Sequence, residues 1–193
     1  MAKKIAILVL ALLILGAIGF FWIRSAHGFS AREQPSHLES MMARNARSMA
    51  MPEEARRATN PVALTPALMD ESRHHFADHC AVCHGNDGSG NTEMGRNLYP
   101  KAPDMREQTT QALSDGELYF IIRNGIRLSG MPAWGPPSGP DPDSWALVHF
   151  IRRLPRLSSI ELKDMEQFNP QSPMESHEQK EEEDFLNGKS EKK

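Results

Sequence analysis

Cys80-Ala81-Val82-Cys83-His84 is the stretch that decides the fold of this chain. C-x-x-C-H is the attachment signature of c-type haem. The two thiols add across the two vinyl groups of the macrocycle and become thioethers, and the two-residue spacer sets the sulfurs at the spacing of those vinyls. The histidine directly after the second cysteine then points its imidazole at the iron as the proximal ligand. The chain has 193 residues and 2 cysteines, so this linkage consumes both.

Two other chemistries use the same residue types. A C-x-x-C pair serves as a redox dithiol where a strand runs into a helix. Here Leu68 to His79, immediately upstream, reads as a polar helix. A structural zinc site takes four protein ligands. Cys80, Cys83 and a choice from His74, His75, His79 and His84 would supply them, so the crowding of histidines favours this reading most. The specificity of the five-residue motif favours haem.

Upstream, Lys3-Lys4 is followed by nineteen uncharged residues, Ile5 to Ile23. That length suits a helix spanning the hydrocarbon core of a bilayer and exceeds a secretory h-region. The exit offers a weak processing site, Ala26-His27-Gly28, and Trp22 sits where an interfacial aromatic anchor would. The reading is a retained anchor over residues 1–24. Lys3 and Lys4 favour an N-in topology, while Arg24 and Arg32 lie on the other side. Haem attachment on the outer face of the bacterial inner membrane places the remainder in the periplasm.

The net charge is −3, but its distribution is uneven. Residues 24–64 hold six arginines against four acids, and Ile160 to Lys193 ten acids against five bases. No basic patch interleaves with aromatics, which argues against a nucleic-acid partner. Residues 25–64 read as a flexible or partly helical spacer. Met41, Met42, Met49 and Met51 gather loosely near His37, a soft but unpatterned set for Cu(I). Pro52-Glu53-Glu54-Ala55-Arg56-Arg57 resembles a helix start. The tail, 158–193, is charged and poor in apolar residues and is expected to be disordered.

The globular domain is expected over 65–157. Thr65 is an N-cap with Pro66 at the first helical position, and Leu68 and Phe76 lie on the inner stripe of a helix that runs into the haem motif. A glycine-rich loop, Gly85 to Gly90, follows. Ser114-Asp115-Gly116-Glu117 is a capping box, with Leu118, Ile121 and Ile122 at helical spacing behind it and Asn124-Gly125 as the stop. A third helix starts at Asp143, buries Trp145, Val148, Ile151 and Leu154, and closes at Pro155. No stretch alternates as a strand.

The distal iron ligand must come from a segment that has wound round the macrocycle. Met131 lies 47 residues after His84, in Ser129-Gly130-Met131-Pro132, between the second and third helices. Pro132 stiffens that loop. Met94 and Met105 come too early for a helix to intervene, and His149, the imidazole competitor, sits inside the third helix on a face turned from the iron.

With these residues in place, 67–155 resembles the class I, bacterial monohaem cytochromes c. The shared features are Phe76 four residues before Cys80, Cys80 to Gly85, Gly88-x-Gly90, Gly130-Met131-Pro132, and a closing helix with Trp145 and Phe150. The resemblance implies an all-α fold of three main helices around one covalent haem c, with His84 and Met131 as the axial pair. In that family a proline carbonyl holds the proximal histidine; Pro100 and Pro103 are the candidates.

The expected function is a membrane-tethered carrier of single electrons between protein donor and acceptor in a respiratory chain. With both axial positions filled it would not be an enzyme. The alternative is a permanent haem c subunit of a larger membrane oxidoreductase or oxidase. A haem sensor or enzyme with a displaceable Met131 is a third reading.

Overall fold

The computed structural model describes residues 2–25, 30–171 and 186. It is all-helical, with no strand among the described residues. In chain order the helices are α1 (Ala2–Ser25), α2 (His37–Ala50), α3 (Glu53–Arg57), α4 (Pro66–His75), α5 (Ala81–His84), α6 (Glu93–Arg96), α7 (Gln108–Gln111), α8 (Asp115–Asn124), α9 (Pro142–Arg153) and α10 (Ser159–Glu166). The Ala26-His27-Gly28 site and most of the acidic tail lie outside the described residues.

At 24 residues, α1 is about 36 Å long, enough to cross a bilayer core of about 30 Å. Its apolar side chains are exposed along its length. It is long and apolar enough to cross a membrane.

The capping chemistry read from the sequence is present. Thr65 Oγ1 accepts from the Leu68 N–H at 3.1 Å, with Pro66 at the first turn. Ser114 and Glu117 form both arms of a capping box. The third main helix begins one residue earlier than expected, because Asp141 is its cap and accepts from the Ser144 N–H at 3.1 Å.

These helices share one core. α4 packs chiefly on α9, and α8 packs on α9 from the other side. Phe76 and Phe150 meet at 5.0 Å between ring centroids, and Val148, Leu147, Ile151, Leu154, Leu118 and Ile122 fill the space around them. Tyr119 stacks on Trp145 at 4.0 Å. The guanidinium of Arg152 bonds to Asp115 Oδ1 and to the carbonyls of Gln111 and Leu113, tying the start of α8 to α9.

Two expectations about domain limits are corrected. The spacer does not run to residue 64. Met51 is buried, α3 packs on α8, and Ser114 Oγ donates to the Arg56 carbonyl at 2.9 Å. Asn60 Nδ2 donates to the Trp145 carbonyl and His149 Nε2 to the Val62 carbonyl, both at 2.8 Å. The domain therefore begins near Met51. The tail does not start at 158 either. Ser158 and Glu161 form a second capping box, and α10 buries Met165 completely while Phe168 packs against the core. The Arg73–Asp164 ion pair at 2.9 Å fastens α10 to α4. Two apolar anchors on a short capped helix outweigh the surrounding charge, because exposed charges need not be desolvated to let the inner face pack.

Candidate haem site

The helix entering Cys80-Ala81-Val82-Cys83-His84 is not uniformly α. It widens to a π turn over Phe76–Cys80, where the Ala81 N–H reaches back to the Phe76 carbonyl, and then tightens into α5. Such bulges recur at functional sites because they re-aim the side chains that follow. Cys80 and Cys83 are both free thiols. Burial pushes the Cys80 thiol up to about 12, with a smaller rise from Cys83; burial also raises Cys83.

His84 lies at the end of α5. Burial lowers its pKa, and the Pro103 backbone opposes that by favouring the protonated ring. Nδ1 itself is buried and has no hydrogen-bond partner of standard geometry. The contact with the Pro103 carbonyl is thus looser than a formed hydrogen bond, and of the two prolines it is Pro103, not Pro100, that approaches. Its approach is set by the glycine-rich loop: the Gly90 N–H donates to the His84 carbonyl at 2.7 Å, and the Met105 N–H donates to Gly88 O at 2.8 Å. α6 is laid against the motif from outside, with Thr92 Oγ1 donating to the Val82 carbonyl at 2.8 Å.

The Met131 loop is strapped to the end of α8. Gly125 takes φ +64°, and a Cβ there would meet Met131 O at 2.7 Å, so a side chain would suffer both strain and collision. The Ile126 N–H donates to Met131 O at 3.1 Å and the Met131 N–H to Ser129 Oγ at 3.2 Å. Farther along, Trp134 and Gly135 N–H groups return to the Ile122 and Arg123 carbonyls. Arg123 Nη2 holds the Pro136 carbonyl at 3.1 Å, and Nη1 stands 3.6 Å from the buried carboxylate of Asp141. Met131 is partly buried against the core.

Trp134 closes the arrangement. Its ring meets His79 edge-on at 5.5 Å, so the loop carrying Met131 is seated beside the residue that precedes Cys80. The structure thereby brings together the two segments that the sequence singled out. The competitors have other surroundings. Met94 is half exposed on α6, Met105 is buried in the core, and His149 is engaged with Val62. Among the described residues no group of three or more His, Cys, Asp or Glu side chains is placed to hold a metal ion. The histidines that favoured zinc are engaged in other contacts: His74 stacks on Phe168 at 3.7 Å, His79 pairs with Asp78, and His75 meets His79 edge-on at 4.9 Å.

The donor set fits haem c: two unpaired thiols on one helix, a buried imidazole whose Nδ1 faces a proline segment, and a thioether on a braced loop. Sequence reasoning missed Trp134 and Arg123 as supports of that loop. The spacing of Arg123 behind Tyr119 gave no hint of the Pro136 contact, which depends on how the loop folds back.

Residues 67–151 match the family model described as cytochrome c oxidase, cbb3-type, subunit III. A cbb3-type cytochrome c oxidase subunit FixP of Sinorhizobium medicae is 37% identical over 90 residues, covering 46% of this chain and 28% of that protein. The FixP of Rhizobium meliloti is 38% identical over 77 residues, covering 39% of this chain and 24% of the relative. The chain thus spans about a quarter of the length of these curated relatives.

Proposed function

We propose that this chain, whose residues 67–151 are a cytochrome c domain, is a membrane-anchored haem c subunit of a cbb3-type oxidase assembly and relays single electrons within it. The match of 67–151 to subunit III of that oxidase type, together with the FixP relatives, carries this reading. It favours the permanent subunit over the freely diffusing carrier. One covalent haem is proposed, since the chain holds one C-x-x-C-H and no further cysteine.

In this reading Cys80 and Cys83 would hold the group by thioethers, and His84 and Met131 would ligate its iron. Haem c, once attached, supplies one-electron iron chemistry, and His/Met ligation raises its potential. The protein's part is to orient and enclose. Pro103 faces the proximal imidazole and limits its rotation. Gly125, Ser129 and Arg123 brace the Met131 loop against α8, so a weak thioether ligand would lose little freedom on binding iron. The core formed by α4, α8 and α9 packs behind these segments and would shield the group from water. Residues after α1 are assigned to the periplasmic side of the bacterial inner membrane, the side on which haem c is attached.

The test is native purification. Membranes carrying the tagged full chain are solubilised in mild detergent, and the haem-stained band is sized and its subunits identified. Co-migration with an oxidase core that consumes oxygen is expected. Migration as a lone polypeptide with full haem content would return the free carrier. Haem that acid–acetone removes would overturn the covalent site itself.

A further inference from the structure

α2 is oriented the wrong way round for a helix on a water-soluble surface. At about 100° per residue, Leu38, Met41, Met42 and Met49 fall within an arc of about 100°. Ser40 and Arg47 lie on the opposite side. The polar side is the one turned to the domain: Ser40 and Arg47 are the half-covered positions of the helix. Desolvation lowers Arg47 while Glu117 of α8 opposes it, which places that guanidinium against the body. The Ser48 carbonyl accepts from Arg56, and Glu39 accepts from the Tyr99 hydroxyl. The apolar stripe faces outward, with Leu38, Met41, Met42 and Met49 exposed by 60%, 41%, 60% and 84%. α2 buries no residue.

We propose that α2 is an interfacial membrane helix whose Leu38/Met41/Met42/Met49 stripe lies in the headgroup boundary of the bilayer that α1 spans. The proposal rests on the reading of α1 as the membrane anchor. Three observations choose the bilayer over another occupant. α1 ends at Ser25 and α2 begins at His37, so eleven residues separate them. At about 3.5 Å per residue fully extended, the first turn of α2 is never more than about 40 Å from the end of the span. Residues 24–50 carry four arginines and two glutamates, a net +2 in a chain of net −3. A cationic segment that carries an amphipathic helix close beyond a span is drawn to anionic headgroups. Three of the four stripe residues are also methionines, whose flexible thioethers adapt to a fluid surface. α2 then holds the haem domain down on the membrane with its polar side upward.

The test uses the full-length holoprotein at one copy per nanodisc of phosphatidylcholine and phosphatidylglycerol. Haem attachment consumes Cys80 and Cys83, so Met42→Cys and Ala43→Cys each introduce a single thiol for a nitroxide label. Position 42 should be more accessible to oxygen than to an aqueous nickel chelate, and position 43 the reverse. Raising phosphatidylcholine at the expense of phosphatidylglycerol should reduce the contrast. If both positions meet the aqueous chelate equally while the protein resists an alkaline carbonate wash, the interfacial role of α2 is wrong and the anchor stands. Release by that wash removes the anchor reading as well. Shielding of position 42 only in discs with two copies, or only with oxidase present, would assign the stripe to a protein partner instead.

Discussion

Gly116→Ala reverses sign according to whether the segment before residue 65 belongs to the domain. In an ordinary exposed helix, replacing glycine by alanine stabilises by about 0.5–1 kcal/mol, because alanine loses less backbone entropy. In this structure a Cβ at position 116 would lie 1.9 Å from the Ala55 carbonyl oxygen and 2.9 Å from that of Ala58. Ordinary contact needs about 3.4 Å or more, so α3 would have to retreat by about 1.5 Å. That retreat breaks the Ser114–Arg56 hydrogen bond, worth about 1 kcal/mol, and opens the packing around Met51. Overpacking of this kind costs about 1–3 kcal/mol, which outweighs the propensity gain. A net loss of about 1–2 kcal/mol should lower the thermal midpoint by about 5–15 °C in a domain of roughly 100 residues. The assay is thermal unfolding of the detergent-solubilised holoprotein, followed by far-UV circular dichroism and by the haem Soret band. A midpoint that rises by a few degrees would show α3 unpacked from α8 and would return the spacer to residue 64.

Met165→Ala removes a fully buried side chain and should cost about 2–5 kcal/mol, read as an earlier urea midpoint. Met49→Ala, at an exposed site, should leave the midpoint alone. Met131→Ala should abolish the far-red thioether-to-iron absorption of the ferric protein and lower the reduction potential. Met94→Ala should change neither, and Met105→Ala should cost stability while leaving the band in place. Bonds from the Ser158 backbone and hydroxyl, then Arg153, hold the partly buried Glu161 carboxyl below its usual value. A depressed acid contributes stability that is complete above its unfolded pKa and is lost as the pH falls through the folded one. Glu161→Gln should therefore flatten a small loss of stability in acid titrations below about pH 4.5.

The three main helices were legible because their signals are local. Thr65-Pro66, Ser114 with Glu117, and Asn124-Gly125 each act through the backbone groups of one turn, and the apolar spacing behind them is intact. The two corrected boundaries failed for different reasons. At the tail, Ser158 and Glu161 spell the same capping box as Ser114 and Glu117, but nine further acids downstream dominated a composition-based reading. At the spacer the helix start at Pro52-Glu53 was legible, but no local signal showed that it packs on the domain. Met51, Asn60 and Val62 matter only through partners 85 and 87 residues away for the last two, and contacts of that span leave no mark on either segment alone. The choice between Pro100 and Pro103 also needed the fold, because it depends on the path of the chain after Gly90.

The strap of Asn60 on Trp145 and of Val62 on His149 shortens the leash on which the haem domain moves. A free spacer of forty residues would let the domain range to about 140 Å from the anchor. With α2 itself docked on the domain by its polar side, the reach falls to the eleven residues between α1 and α2, about 40 Å. The accessible volume scales with the cube of that length, so the effective concentration of the domain at any partner beside its own anchor rises roughly fortyfold. Encounter then becomes a matter of reorientation at a fixed address, and the rate at which such a domain meets its partner no longer depends on how much of it the membrane contains.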